Sequence, residues 1–238
     1  MDGMLKPLKA ESLKEVFISR FEDLILTGKL AIGQKLPPER ELAVQLGVSR
    51  PVVHEGLLDL AVKGLVTMKP RVGTVVNDYR KEGSLVMLES IFNFRRDNLD
   101  SELMRSLLEV RLLMEVETAR LASKHRSTEH MRAFRDILAR EGQAGQTDID
   151  GLAGLDFELH QLIALASGNL VYPLLINSFK PVYTTMTSIF FSTPEVVPHV
   201  HSFHKKLVDA IENKDGAKAS QIMSEMLAHG EQHLIRRV

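Results

Sequence analysis

Residues 47 to 57 read GVSRPVVHEGL, and this stretch decides the fold. Gly47 is placed to end one helix in the left-handed conformation, which costs glycine no Cβ clash, and Ser49 is placed to cap the next helix. Pro51 falls in the first turn, where a backbone amide would have no intrahelical partner to lose. Two helices joined by so tight a turn need a shared apolar seam. Leu42, Leu46, Val48, Val53, Leu57 and Leu60 supply one at helical spacing. Arg50 and His54 then lie one turn apart on the second helix, with Arg40 at the start of the helix before it. Arginine at the front of such a helix matches guanine O6 and N7 or a phosphate. Surface arginines around a helical hairpin are also often merely solvated, so the pattern alone leaves both readings open.

Upstream, Val16, Phe17, Phe21, Leu24 and Ile25 recur at helical spacing and predict a helix over residues ~11–28. LAIGQKLPPERELAVQLG then gives a turn at Gly33 and a proline pair opening a short helix from Glu39 to Leu46. Downstream, the β-rich runs Val66-Thr67-Met68 and Thr74-Val75-Val76 flank KPRVG and predict a hairpin. Helix, helix, tight turn, helix, hairpin is a winged helix-turn-helix, expected over residues 1–78. NDYRKEG at 77–83 reads as a linker. Beyond it the strand patterns vanish. Helical periods are expected over ~83–97, ~100–124, ~128–144, ~148–167, ~170–191, ~195–213 and ~215–236. Breaks fall at Asn98, Ser127, Gly145, Gly168-Asn169, Pro194 and Asp215-Gly216. The fold class expected is mainly α: an N-terminal winged helix-turn-helix followed by an all-helical bundle of about seven helices over residues 82–238.

The 238 residues are 44% hydrophobic and 26% charged, with a net charge of -1 and no cysteine. Disulfides and thiolate metal sites are excluded, and a cytoplasmic location is expected. No apolar run approaches a membrane span, and the charged start MDGMLKPLKAESLKEVF does not read as a signal peptide. Residues 1–78 hold eleven Lys and Arg against ten Asp and Glu, so any basic DNA-facing surface must be local.

The segment from LAIGQKLPPERELAVQLG through GLVTMKPRVGTVV resembles the signature of GntR-family transcription regulators, matching in order the glycine turn, LPxERELA, GVSR and the GLV…GTxV wing. The resemblance covers residues ~11–78 and implies a double-stranded DNA operator, a short palindrome, as partner of a homodimer. It also implies DNA contacts by Arg40, Ser49, Arg50 and His54, with Lys69, Arg71 and Gly73 in or beside the wing. The family usually has V-R-E-A-L where this chain reads VHEGL, so His54 stands in an arginine's place. Imidazole offers one donor and one acceptor instead of a charged fork of donors.

In the second half, LLEVRLLMEVETARLA, LDFELHQLIALASGN and FHKKLVDAIENKDGAKASQIM resemble the FCD effector domain of the FadR subfamily. That resemblance implies a buried cavity where an Asp and three His hold a divalent metal beside a small organic acid. Carried over, Asp156, His160 and His204 take three ligand positions. Asp156 and His160, four apart, share one helix face. Met226 occupies the fourth position, with His229 one turn away as the other candidate. Zn, Ni and Mn are not distinguished. Arg111 and Asn169 are the effector-binding candidates; for Arg111 the plainer alternative is an ion pair with a nearby Glu. Two effector classes compete: a small carboxylate with metal, or an acyl-CoA without metal, toward which Met226 and the run SIFFSTPEV point. A metal-dependent enzyme built on the same triad is the remote alternative, since no HExxH-type motif accompanies it. A helical interaction module without ligand is a third reading.

Overall fold

The structure is a computed structural model that describes residues 11–94 and 101–235. The break expected at Asn98 lies outside them. The chain divides into two compact units between residues 94 and 95.

The first unit opens with α1 (Leu13–Leu26), started by a reciprocal cap in which the Ser12 hydroxyl accepts from the Glu15 amide at 3.2 Å. The Ser12 amide in turn donates to the Glu15 carboxylate at 2.7 Å. Phe17, Phe21 and Ile25 form its buried stripe, whereas Val16 is exposed. Next come α2 (Glu39–Leu46) and α3 (Arg50–Val62), joined through Gly47 at φ 66° and ψ 31°. Leu42, Val53, Leu57 and Leu60 are buried between them and α1, with Leu46 and Val48 packed at the edge. Ser49 holds the N-cap position of α3, but its side chain makes no capping hydrogen bond. β1 (Val66–Lys69) and β2 (Gly73–Val76) pair antiparallel, Val66 opposite Val76 and Lys69 opposite Gly73. The Leu36 amide donates to Thr74 O at 2.9 Å and the Val76 amide to Gln34 O at 2.9 Å, so the segment before α2 flanks the hairpin.

The expected linker forms the single turn α4 (Tyr79–Glu82), and α5 (Met87–Phe94) follows. The sequence reading starts the helical domain at residue 82, but α5 packs within the first unit. Met87 is buried in the core of α1 and α3. Ser90 Oγ donates to Glu22 Oε1 at 2.8 Å and accepts from Lys63 Nζ at 2.9 Å, and Lys63 also pairs with Glu22.

The second unit contains α6 (Ser101–His125), α7 (Thr128–Gln143), α8 (Ile149–Ala166), α9 (Tyr172–Ser178), α10 (Lys180–Phe191), α11 (Val197–Glu212) and α12 (Gly216–Ile235), with a 3₁₀ turn over Pro194–Val196. The helix expected over 170–191 is two helices parted at Phe179. Pro181 in the first turn of α10 has no amide to donate, which suits a helix start and not an interior. The bundle packs around α8, whose buried residues include Leu155, Leu159 and Ile163 as well as the polar Asp156 and His160. Leu207, Ile211, Met223 and Phe134 close the same core. No helix among the described residues is long and apolar enough to cross a membrane.

Candidate functional site

On the first unit, the expected DNA-facing side chains share the surface around the front of α3. Arg40, in the first turn of α2, is exposed, as are Ser49, Arg50 and His54. Arg50 and His54 are not independent. Glu39, at the first residue of α2, accepts from Arg50 Nε at 3.2 Å through one carboxylate oxygen. Its other oxygen lies 2.7 Å from His54 Nδ1. The hydrogen bond from His54 and, against the opposing effect of burial, that from Arg50 hold the Glu39 carboxyl below its ordinary range. Sequence reasoning did not single out Glu39. Its signal was the acid preceding Arg40 in LPPERELA, at the end of α2 that the tight turn brings beside the front of α3.

The wing carries Lys69 at the end of β1, Arg71 in the connecting turn and Gly73 at the start of β2. The Val72 amide donates to Lys69 O at 3.1 Å, closing a turn with Pro70 and Arg71 at its centre. Arg71 has φ 63°, a conformation that usually falls to glycine or asparagine. Gly73 has φ 109°, and a Cβ there would stand 2.9 Å from Lys35 Cε.

In the second unit, four helices converge on a buried polar centre. α8 contributes Asp156 and His160, α11 His204, α6 Arg111 and Glu115, and α10 Tyr183. The facing ligand atoms of Asp156, His160 and His204 all lie within 4.8 Å of one another. Each imidazole is backed by a glutamate at Nδ1: His160 lies against Glu115, and His204 is 2.6 Å from Glu141 of α7, which also reaches His201 at 3.3 Å. His204 Nε2 stands 3.4 Å from Asp156 Oδ1 and has no hydrogen-bond partner of good geometry. Arg111 donates through Nε to Glu115 at 2.7 Å and through Nη2 to the Tyr183 hydroxyl at 3.0 Å. Tyr183 then donates to Asp156 Oδ2 at 2.8 Å. The ion pair weighed for Arg111 is therefore present, and the same side chain also lines the cavity.

Burial works against every charge here, and the network outweighs it. Burial favours neutral Glu115, but Arg111 and then His160 bring its pKa down to about 2. Asp156 likewise sits well below the carboxylate range despite burial, through His204, His160 and Arg111. Burial would lower His204, but Asp156 and Glu141 push it up to about 9. Burial also raises the Tyr183 hydroxyl well above its ordinary value, leaving it a donor.

A small cavity of about 40 Å³ adjoins the centre, lined by Arg111, Asp156, His160, Thr187, Phe190 and Met226 among others. That is room for a few waters or an ion with part of a ligand. Met226 thus reaches the cavity. His229 does not line it, and packs instead against His199, Phe203, Phe190 and His233. Asn169 is also away from the cavity. It is exposed in the turn after α8, where its Oδ1 accepts from the Val171 amide at 2.8 Å and the Tyr172 amide at 3.4 Å. Its Oδ1 is committed to the turn, so the structure does not bring Asn169 together with Arg111. Glu115 was legible as the residue four after Arg111. Glu141 and Tyr183 come from distant helices and left no local signal.

Residues 14–76 match the family profile described as bacterial regulatory proteins, gntR family, and residues 106–229 match the FCD domain. The HTH-type transcriptional regulator Mce2R of Mycobacterium tuberculosis (strain CDC 1551 / Oshkosh) is 32% identical over 227 residues, covering 94% of this chain and 92% of that protein. The fatty acid metabolism regulator protein of Proteus mirabilis (strain HI4320) is 30% identical over 208 residues, 87% of this chain and 84% of that one. Among solved structures, one described as "Lar controls the expression of the Listeria monocytogenes agr system and mediates virulence" superposes with a TM-score of 0.66 at 15% identity, covering 96% of this chain and 99% of that chain. E. coli McbR/YncC gives 0.54 at 16% identity, covering 96% and 99%. At such identities these two likenesses speak to fold alone.

Proposed function

Since the chain belongs to the GntR family of transcription regulators and carries an FCD domain, we propose that it is a homodimeric repressor whose operator affinity is set by a small organic acid in the helical bundle. The observation that carries this reading is the buried centre where Arg111, Asp156 and His160 line one small cavity with His204 beside them. Arg111 at the wall offers an anionic ligand with few atoms a charged partner, beside a lining that is otherwise largely apolar. The reading face of α2, α3 and the wing is its DNA-binding counterpart, with Arg40, Ser49, Arg50, His54, Lys69, Arg71 and Gly73 as the proposed contacts. A ligand changes operator occupancy only if it binds one arrangement of the protein more tightly than the other.

The side chains also suit a divalent metal. An ion would replace the proton that Asp156 and Glu141 favour on His204, and the carboxylates of Asp156, Glu115 and Glu141 against the single guanidinium of Arg111 leave negative charge for a divalent cation to offset. The unsatisfied Nε2 of His204 beside Asp156 and the glutamates behind both imidazoles are the arrangement that metal-binding histidines require. Asp156, His160 and His204 would hold the ion, which when bound supplies a Lewis-acidic centre for a carboxylate or hydroxyl oxygen. Glu141 fixes the tautomer of His204, Glu115 lies against Nδ1 of His160, and Arg111 places a second positive charge at the cavity wall. Met226 is a poor fourth ligand for a borderline ion, which leaves that position to water or to the acid itself.

The second reading is an acyl-CoA regulator without metal. It is favoured by relatives named fatty acid metabolism regulator and by Phe190 and Met226 at the cavity wall. A cavity of about 40 Å³ favours the small acid, because an acyl chain needs more room than that. Native mass spectrometry with metal analysis of the purified full-length protein separates the two. A bound metal with a small acid supports the first reading, and an acyl-CoA adduct on metal-free protein replaces it with the second. Operator binding that stays the same with every bound ligand would remove the sensor role altogether.

A further inference from the structure

We propose that His54, held by Glu39, acts toward DNA as a hydrogen-bond acceptor and reads an exocyclic amino group of cytosine or adenine. This inference deepens the DNA-reading role proposed above and rests on it. Glu39 divides its two carboxylate oxygens between Arg50 Nε at 3.2 Å and His54 Nδ1 at 2.7 Å. An ionised carboxylate can only accept, and the Glu39 carboxyl is held below its ordinary range by these same bonds. The proton of the shared hydrogen bond therefore belongs to His54 Nδ1.

A neutral imidazole carries one donor and one acceptor. Once Nδ1–H is committed to Glu39, Nε2 is left with a lone pair. The His54 side chain is 49% exposed against 20% for Glu39, so the imidazole retains surface for a partner while the carboxylate is largely covered. A lone pair cannot donate to a phosphate oxygen, nor to guanine O6 or N7. It can accept from the N4 amino group of cytosine or the N6 amino group of adenine in the major groove. Arg50 gives only Nε to Glu39 and keeps its two terminal nitrogens for guanine or phosphate. One turn of α3 thus presents a donor-only side chain and an acceptor side by side. Glu39 is a positioning residue that sets the tautomer of one and the orientation of the other.

The test is selection of binding sites from a randomised duplex library by the full-length protein, His54→Arg and Glu39→Gln. The selection is run in mildly alkaline buffer, which favours the neutral form of an imidazole over imidazolium. The position at which His54→Arg changes the selected base identifies the base pair under residue 54. There, wild type is expected to favour adenine or cytosine over guanine on the contacted strand by on the order of five- to tenfold, and His54→Arg to favour guanine. Glu39→Gln, whose amide can accept from Nδ1 or donate to it, should flatten the preference at that position while the rest of the half-site stays recognisable. Guanine selected by wild type at that position overturns the proposal. So does a full wild-type preference in Glu39→Gln, or a His54→Arg profile that differs nowhere. If wild type enriches no sequence, the DNA-reading role falls and this inference with it; enrichment without discrimination under residue 54 overturns the inference alone.

Discussion

Arg71 holds φ at 63° in the wing turn, where a residue with a Cβ pays roughly 1–2 kcal/mol relative to glycine. Its neighbours are exposed and make no demand for an arginine in packing. Strain kept at an exposed turn is explained if the side chain contributes elsewhere, and a cation beside DNA is such a contribution. Arg71→Gly is accordingly expected to leave thermal stability unchanged or raised by about 1 kcal/mol, the relief of strain being partly offset by glycine's greater freedom when unfolded. Operator affinity should drop, and the slope of log affinity against log salt should shrink by about one charge. A variant with an unaltered salt slope would place Arg71 away from phosphate. At this scale the sequence was most legible where spacing or a local motif carried the chemistry. Asp156 and His160 are one helical turn apart, and the Arg111–Glu115 pair follows the same rule. Glu39, Glu141 and Tyr183 were not legible, because each acts on a partner from another helix.

Between elements, α1 and α3 pack tightly at Gly56. A Cβ at Gly56 would lie 2.3 Å from Phe17 Cδ1, so the Phe17 ring occupies the space that a methyl group would need. This accounts for glycine where the resembling regulators carry alanine in V-R-E-A-L. Gly56→Ala gains about 1 kcal/mol in helix propensity but must displace a buried ring, at a cost of about 1–3 kcal/mol. The expected result is a lower melting temperature, with Phe17→Leu in the same chain recovering part of the loss. Equal losses in the two backgrounds would show that the ring is not the obstacle. Element order was largely readable from periodicity, and the exceptions have physical causes. Pro181 divides one apolar run into α9 and α10, and α5 joins the first unit through Met87 and the Glu22–Lys63–Ser90 cluster. Periodicity reports which face of a helix is buried; it does not report against which neighbour.

For the molecule as a whole, the proposed dimer needs a surface, and the helical unit offers one on α6 and α9. Leu112 and Leu113 are 41% and 77% exposed, and Leu170 and Leu174 are 88% and 67% exposed. Leu112, Leu113, Val116 and Tyr172 line an open groove together with Glu109 and Glu117, while Leu174 of α9 and Leu170 before it lie outside that lining. Large apolar side chains left contiguous and rimmed by charge mark association surfaces. Leu113 is the best single probe, because it lies mostly in solvent and its replacement removes little from the core. Leu113→Glu is expected to keep its helical circular dichroism, with a melting temperature lowered by no more than the stabilisation that dimer formation itself contributes. In sedimentation it should shift from dimer to monomer. Operator binding should weaken steeply, since a dimer engages both half-sites of a palindrome and a monomer only one, losing the effective concentration that links them. Binding to a single half-site should be nearly unchanged, because the reading face on α2, α3 and the wing is untouched. A Leu113→Glu protein that remains dimeric would move the interface off α6, and one that is monomeric yet binds the full palindrome as wild type does would separate dimerisation from operator affinity.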